Sequence, residues 1–166
     1  HRLYVPGILW AGQYRVAISI DHTLIPIGEM NVTRPPGQEY APPDANASGA
    51  FWENRIGLIG YDYTVTAVTL YWETVTQINQ SYRLFVQVVG SDDKIVALAD
   101  EIPVNWTRPT TSWGIGEVVA TQHDFGELPS GEYRIRVGWY DPITGIRIPV
   151  SSGDDSYFLP QPFVVD

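Results

Sequence analysis

The sequence contains no cysteine, and acidic residues outnumber its cationic ones. The absence of cysteine excludes disulfides, thiolate metal sites and cysteine nucleophiles together. Ten Lys and Arg against 19 Asp and Glu give a formal net charge of -9. Because neutralising phosphates needs clustered cations, this balance argues against a nucleic-acid partner, and it also disfavours an anionic membrane surface.

Long apolar runs and helical periodicity are also missing. No window reaches the roughly 18 continuous apolar residues of a membrane span, so we expect none within this sequence. Proline is frequent, and the proline-rich stretch 34–50 cannot be helical. The chain starts at His1 with a strand-like segment and no lead-in, so we interpret it as a piece of a longer protein.

The sequence does contain strict alternation of apolar and polar residues, most regularly over residues 131–140. The apolar positions fall on one face of an extended chain and are Tyr133, Ile135, Val137 and Trp139. Asp141, Pro142 and Gly145 follow, each a residue that favours a turn. The stretch 131–145 therefore predicts a β-hairpin.

The same pattern recurs near the start, where residues 12–18 match residues 131–137. Its apolar face is formed by Tyr14, Val16, Ile18 and Ile20. We predict a hairpin of strands 13–20 and 24–32 that turns at Asp21, His22 and Thr23. Because a lone hairpin is marginally stable in water, we expect it to dock on the main domain. The alternative is that it is the remnant of a preceding copy of that domain.

Further strands are predicted at short, regular spacing after residue 50, at 55–61, 65–74, 82–90, 94–99, 117–123, 132–140, 146–150 and 161–165. Turn signals separate them, which predicts an all-β, antiparallel β-sandwich of jelly-roll or immunoglobulin-like type. Its expected core faces are Val68, Leu70 and Trp72; Leu84, Val86 and Val88; and the apolar face of 132–140. The predicted organisation is a hairpin over 1–33, a proline-rich connector over 34–50 and a sandwich over 51–166.

Five blocks between residue 50 and the C-terminus resemble a known domain pattern, in order. They are 56–62 (IGLIGYD), 68–72 (VTLYW), 82–87 (YRLFVQ), 108–119 (RPTTSW followed by GEVV) and 131–150. Together they resemble the C-terminal extracytoplasmic β-domain of bacterial membrane glycosyltransferases of family 39, relatives of dolichyl-phosphate-mannose-protein mannosyltransferases. The chain departs from that pattern at Gln87 and Val88, where a histidine followed by a leucine is more usual.

The resemblance implies an extracytoplasmic location, tethered to the cytoplasmic membrane through a membrane-embedded parent chain that transfers sugar from a polyprenyl-linked donor. The catalytic acids of such enzymes lie in membrane-proximal loops that this sequence does not contain. The chain itself is therefore expected to be no enzyme, and the partners implied are a carbohydrate or an acceptor polypeptide.

The residues themselves offer little catalytic chemistry. No nucleophile elbow, zinc-protease motif or phosphate loop is present, and His1, His22 and His123 share no motif. Acids such as Asp92 and Asp93 occur in turn contexts where they cap backbone amides. The alternative is calcium ligation by acids at one end of the sandwich, Asp62 among them, but none has the spacing of a dedicated loop. We expect no catalytic residue, no metal and no cofactor.

Aromatic residues give the sharpest functional hypothesis, because carbohydrate-binding sandwiches present Trp and Tyr rings to the apolar faces of sugars. The candidate ligand-binding residues, in predicted loops or connector ends, are Trp113, Trp106, Trp52 and Tyr40. Trp113 can equally anchor the crossing 108–116 onto the sheet edge. A second, flatter candidate surface consists of Tyr71, Tyr140, Arg134 and Arg136.

Three functions remain open at this point. The leading one is a non-catalytic accessory module that binds a glycan or acceptor, and the alternative is a structural spacer in an array of similar domains. A glycoside-active enzyme ranks last. Exposure separates the first two, because a binding module must present at least two coplanar rings on one surface, whereas a spacer buries nearly all of its tryptophans.

Overall fold

The structure is a computed structural model that describes residues 12–32, 45–103 and 108–166. The strands of these residues are β1 (Gly12–Ile20), β2 (Thr23–Val32), β3 (Asn46–Trp52), β4 (Ile56–Tyr63), β5 (Ala67–Thr74), β6 (Arg83–Gly90), β7 (Ile95–Glu101), β8 (Val118–Asp124), β9 (Gly131–Tyr140), β10 (Tyr157–Phe158) and β11 (Phe163–Val165). Every pairing between them is antiparallel. In this part of the chain no helix is long and apolar enough to cross a membrane.

Two sheets pack face to face. One has the order β3-β4-β5-β8, and the other has the order β10-β9-β6-β7 with β11 also paired to β9. The chain changes sheet between β5 and β6, between β7 and β8, and between β8 and β9. The inner faces share one core, in which Trp72 of β5 meets Trp139 of β9 with ring centroids 4.9 Å apart. The predicted all-β, antiparallel sandwich is confirmed.

The expected core faces of β5, β6 and β9 are confirmed as well. None of their ten residues is more than 7% exposed. Burying a side chain of this kind contributes about 1.5–3 kcal/mol relative to leaving it exposed. The alternation of apolar and polar residues in these three strands therefore correctly predicts which side chains lie in the interior of the sandwich.

The sandwich begins earlier than the predicted boundary at residue 51. Strand β3 starts at Asn46 and pairs with β4, so residues 46–50 belong to the four-stranded sheet rather than to the connector. This stretch has no β-branched or aromatic residue before Phe51, so local propensity gives no strand signal. Pairing with β4 decides its conformation, with an irregular register between Ala47 and Ala50.

The predicted strand 146–150 is wrong. Its residues make two isolated bridges, Tyr140 with Arg147 and Trp52 with Val150, instead of a ladder. The preceding turn forms as expected, with Asp141 accepting a hydrogen bond from the backbone N–H of Ile143 at 2.8 Å. A longer ladder is blocked because β10 and β11 already pair with this side of β9.

Strands β1 and β2 form a two-stranded sheet of their own, as predicted. Its turn is closed by Asp21 and His22, whose positive φ values of 47° and 64° suit a type I′ turn. The apolar face of this hairpin is covered only in part. Tyr14 is half-buried, but Ile18 and Ile20 are 49% and 54% exposed.

Candidate functional site

Trp113, the first of the predicted ligand-binding residues, lies inside the core. It follows the one-turn 3₁₀ helix Thr110–Ser112 in the crossing from β7 to β8 and is 0% exposed. Its ring meets Trp139 edge to face with centroids 5.8 Å apart, and its Nε1 donates to the carbonyl oxygen of Arg108 at 3.2 Å. Of its two predicted roles, only the anchoring of the crossing fits a ring without an exposed face.

Trp52, at the end of β3, is buried to the same degree, with 1% exposure. It packs edge on against Trp72 at 5.5 Å and against Tyr157 at 6.4 Å. Since Trp72 contacts Trp139 and Trp139 contacts Trp113, the four described tryptophans form one continuous cluster that joins both sheets. Aromatic pairs at these distances add about 0.5–1.5 kcal/mol beyond the burial of their area.

These positions correct the prediction that Trp113 and Trp52 stack on a sugar. Their loop and connector contexts allow exposure, but Trp113 lies in a segment that passes from one sheet to the other, and Trp52 ends β3 of the four-stranded sheet, and both rings pack into the core between the sheets. A large apolar side chain at either position is removed from water when it packs into the core, which is favourable. Trp106 and Tyr40, the other two predicted ligand-binding residues, lie outside the described residues.

Polar contacts hold the same crossing in place. Arg108 and Glu117, near its two ends, form an ion pair of 2.7 Å, and the second carboxylate oxygen of Glu117 accepts the N–H of Gly114 at 2.8 Å. The hydroxyl of Thr110 donates to the carbonyl oxygen of Gln80 at 2.7 Å. The Thr-Ser-Trp motif and the glutamate after it therefore act as a structural clamp.

A buried polar chain leads from the tryptophan cluster into β8. Nε1 of Trp72 donates to Oγ1 of Thr121 at 2.9 Å, and this oxygen lies 2.9 Å from Nε2 of His123. We assign the hydroxyl hydrogen to Nε2, which makes the imidazole a neutral acceptor with its proton on Nδ1. Burial lowers the pKa of His123 to about 4, in keeping with the neutral ring. His123 is thus a hydrogen-bonded structural residue, the role expected from the sequence.

A shallow polar cleft of about 230 Å³ lies on the outer face of the four-stranded sheet, where β4 turns into β5. Strand register sets Asp62, Thr69 and Gln122 side by side across β4, β5 and β8. The rest of the lining consists of Tyr63, Thr64, Thr66, Ala67 and Asp124. Carboxylate, amide and hydroxyl groups of this kind can bond to a hydroxyl-rich ligand.

Sequence reasoning missed the cleft as a unit and named only Asp62, as an alternative calcium ligand. Its members come from the consecutive strands β4 and β5 with their turn, and from β8, which is remote in sequence, so only the register brings Gln122 and Asp124 beside the others. Within the described ranges, no three His, Asp or Glu side chains are grouped as a metal would require.

The second predicted surface is not a unit, because its members lie on different sheets. They are Tyr71 on β5 and Tyr140, Arg134 and Arg136 on β9. On the outer face of the five-stranded sheet, Arg134 pairs with Asp93 at 2.5 Å and Arg136 donates to Gln87 at 2.7 Å. These two guanidinium groups are therefore engaged within the protein.

Comparison with known proteins assigns no family, since no protein-family model matches the chain and no curated protein shows significant similarity to it. The functional conclusion thus depends on the fold and on where the described side chains lie. The buried tryptophan cluster is the feature that decides it.

Proposed function

We propose that the chain is a non-catalytic accessory module whose sandwich acts as a rigid spacer in a larger protein. The observation that carries this proposal is the burial of all four described tryptophans, each at most 1% exposed. A module that stacks sugars on tryptophan needs exposed, coplanar rings, and these four rings instead join the two sheets. Their burial favours the spacer over a tryptophan-lined binding surface.

The contacts of the acidic residues support the non-catalytic part of the proposal. Asp92 accepts the backbone N–H of Lys94, and Asp141 accepts that of Ile143. Asp155 forms an ion pair with Arg147 at 2.8 Å. Acids engaged in this way hold turns and loops together, as the sequence context of Asp92 and Asp141 indicates.

We further propose that the module is extracytoplasmic and belongs to a bacterial membrane glycosyltransferase. The five-block resemblance between residues 56 and 150 supports this assignment. Its blocks include strand segments and the tryptophan-bearing crossing 108–117. In that setting the sandwich would stand beside the membrane enzyme and space or orient it.

Activity assays test the non-catalytic role. The purified chain, incubated with aryl glycosides and with polyprenyl-phosphate-linked sugars, is expected to give no hydrolysis and no transfer. Turnover that a single carboxylate substitution abolishes, with unchanged thermal unfolding, would overturn the proposal. Protease added to intact spheroplasts tests the location, since an extracytoplasmic sandwich is reached while a cytoplasmic control protein stays protected.

A further inference from the structure

We propose that the polar cleft on the four-stranded sheet binds a neutral, hydroxyl-rich ligand, that is, a saccharide without charged groups. This goes beyond the spacer role, which stands or falls independently of it. The contact is made by polar side chains of strands β4, β5 and β8 and not by stacked tryptophans.

The rigidity of the cleft comes from the sheet beneath it. Asp62, Thr69 and Gln122 occupy one transverse row on three hydrogen-bonded strands, so their Cα positions are fixed by the ladder. The turn at the rim is fixed as well, since the hydroxyl oxygen of Thr64 accepts the backbone N–H groups of Thr66 and Ala67 at 3.3 and 3.1 Å. A preformed site loses less conformational entropy on binding.

Hydrogen bonds within the cleft orient its polar groups. The hydroxyl of Tyr71 donates to Oδ2 of Asp62 at 3.1 Å, and Nε2 of Gln122 donates to Oδ1 of Asp124 at 3.1 Å. These bonds occupy one oxygen of each carboxylate and fix the amide of Gln122. The acceptor capacity that remains includes the second oxygen of each aspartate and Oε1 of Gln122.

The hydrogen-bond donors and acceptors that line the cleft determine which class of ligand it can bind. An acceptor-rich site needs a ligand that donates several hydrogen bonds, as the hydroxyls of a sugar do. The lining contains two carboxylates and no Lys or Arg, so it repels phosphates, sulfates and uronic acids. The hydroxyls of Thr66 and Thr69 can act in either direction, which suits the mixed character of sugar hydroxyls.

The acids on the opposite sheet make a useful contrast. There Asp93 pairs with Arg134 and Asp155 with Arg147, so these two carboxylates have a cation beside them, whereas Asp100 of β7 accepts from the neutral hydroxyl of Tyr140. In the cleft, Asp62 and Asp124 are bonded to a hydroxyl and to an amide, both neutral. Neutral partners leave the carboxylates available as strong acceptors for ligand hydroxyls.

The inference is tested by titrating the ¹⁵N-labelled chain with neutral oligosaccharides of glucose, galactose and mannose, with oligogalacturonate and with Ca²⁺. At least one neutral oligosaccharide is expected to shift the amide signals of β4, β5 and β8 with a Kd of about 1 mM, a strength typical of an open, shallow site. Oligogalacturonate and Ca²⁺ are expected to shift none of them at the same concentrations.

Matched variants locate the contact. Gln122→Ala and Asp124→Asn should each weaken binding about tenfold, whereas Asp93→Asn, an exposed acid on the other sheet, should leave it unchanged. Saturation by Ca²⁺ alone, equal binding of the anionic sugar, or no shift with any neutral sugar would each overturn the inference. So would binding that the cleft variants leave intact. None of these results bears on the spacer role or on the non-catalytic role, which the activity assays test separately.

Discussion

Strands β1 and β9 begin with nearly the same sequence pattern and end in different environments. Both start at a glycine followed two residues later by Tyr-Arg, and both form regular antiparallel strands. Val137 of β9 is completely buried, whereas Ile18, at the matching position of β1, is half exposed. Alternation therefore specifies a strand and its apolar face, but burial requires a second sheet, which only β9 faces.

The largest difference in stability between the two strands is expected when Trp139 of β9 and the matching residue of β1, Ile20, are each truncated to alanine. Trp139→Ala removes the central ring of the tryptophan cluster and should lower the free energy of unfolding by about 3–5 kcal/mol. Ile20→Ala removes an exposed side chain and should change it by less than about 0.5 kcal/mol. Urea denaturation measures both, and equal effects would contradict the burial difference.

Acid should weaken the sandwich through His123. The pKa of this buried imidazole is about 4, below the ordinary value of 6.5, so between these pH values the unfolded chain takes up a proton that the folded chain refuses. The neutral imidazole therefore makes its full contribution to the free energy of unfolding above pH 6.5. This contribution is lost as the pH falls, by about 3 kcal/mol below pH 4. Comparing the pH dependence of the free energy of unfolding with that of His123→Gln isolates this part. Identical curves would rule it out.

The sandwich and the β1–β2 hairpin also differ in how tightly atoms pack around their glycines. A Cβ added to Gly138 would lie 2.7 Å from Cε1 of Phe85, whereas one added to Gly28 of the hairpin meets no atom within 4 Å. Gly138→Ala should therefore cost about 1–3 kcal/mol through overpacking, and Gly28→Ala almost nothing. Thermal unfolding of both variants checks this, and a neutral Gly138→Ala would show that the Phe85 ring has room to move.

The smallest effect is expected in the hairpin turn. Asp21 and His22 both have positive φ, a conformation that Asn-Gly adopts more readily. Replacing the pair by Asn-Gly should stabilise the hairpin by about 0.5–1 kcal/mol and leave the sandwich unchanged. Slower hydrogen exchange confined to the amides of β1 and β2 is the expected signature. Slower exchange in β9 as well would indicate that the two regions are coupled.

Features that local sequence determines were predictable. The turn at Asp21 and His22 and the core face that contains Val137 follow from turn chemistry and from alternation, which act over a few residues. The all-β class follows from the same signals repeated along the chain.

Features that depend on distant partners were not predictable. Asn46 joins a strand because β4 offers a ladder, although its own neighbours favour a loop. The sequence context of Trp113 fits an exposed loop residue and an anchor of the crossing equally well, and only the packing of the two sheets shows that its ring lies in the core. The cleft was missed for the same reason, since Thr69 and Gln122 become neighbours only through the pairing of β5 with β8.

The tryptophan cluster gives the molecule a built-in optical reporter. Indole rings with centroids 4.9–5.8 Å apart and planes inclined by 64–83° couple their electronic transitions. The resulting near-ultraviolet circular dichroism depends on both sheets staying in contact, because Trp72 and Trp139 come from opposite layers. A slight slide of one layer over the other would change that spectrum before any strand had melted.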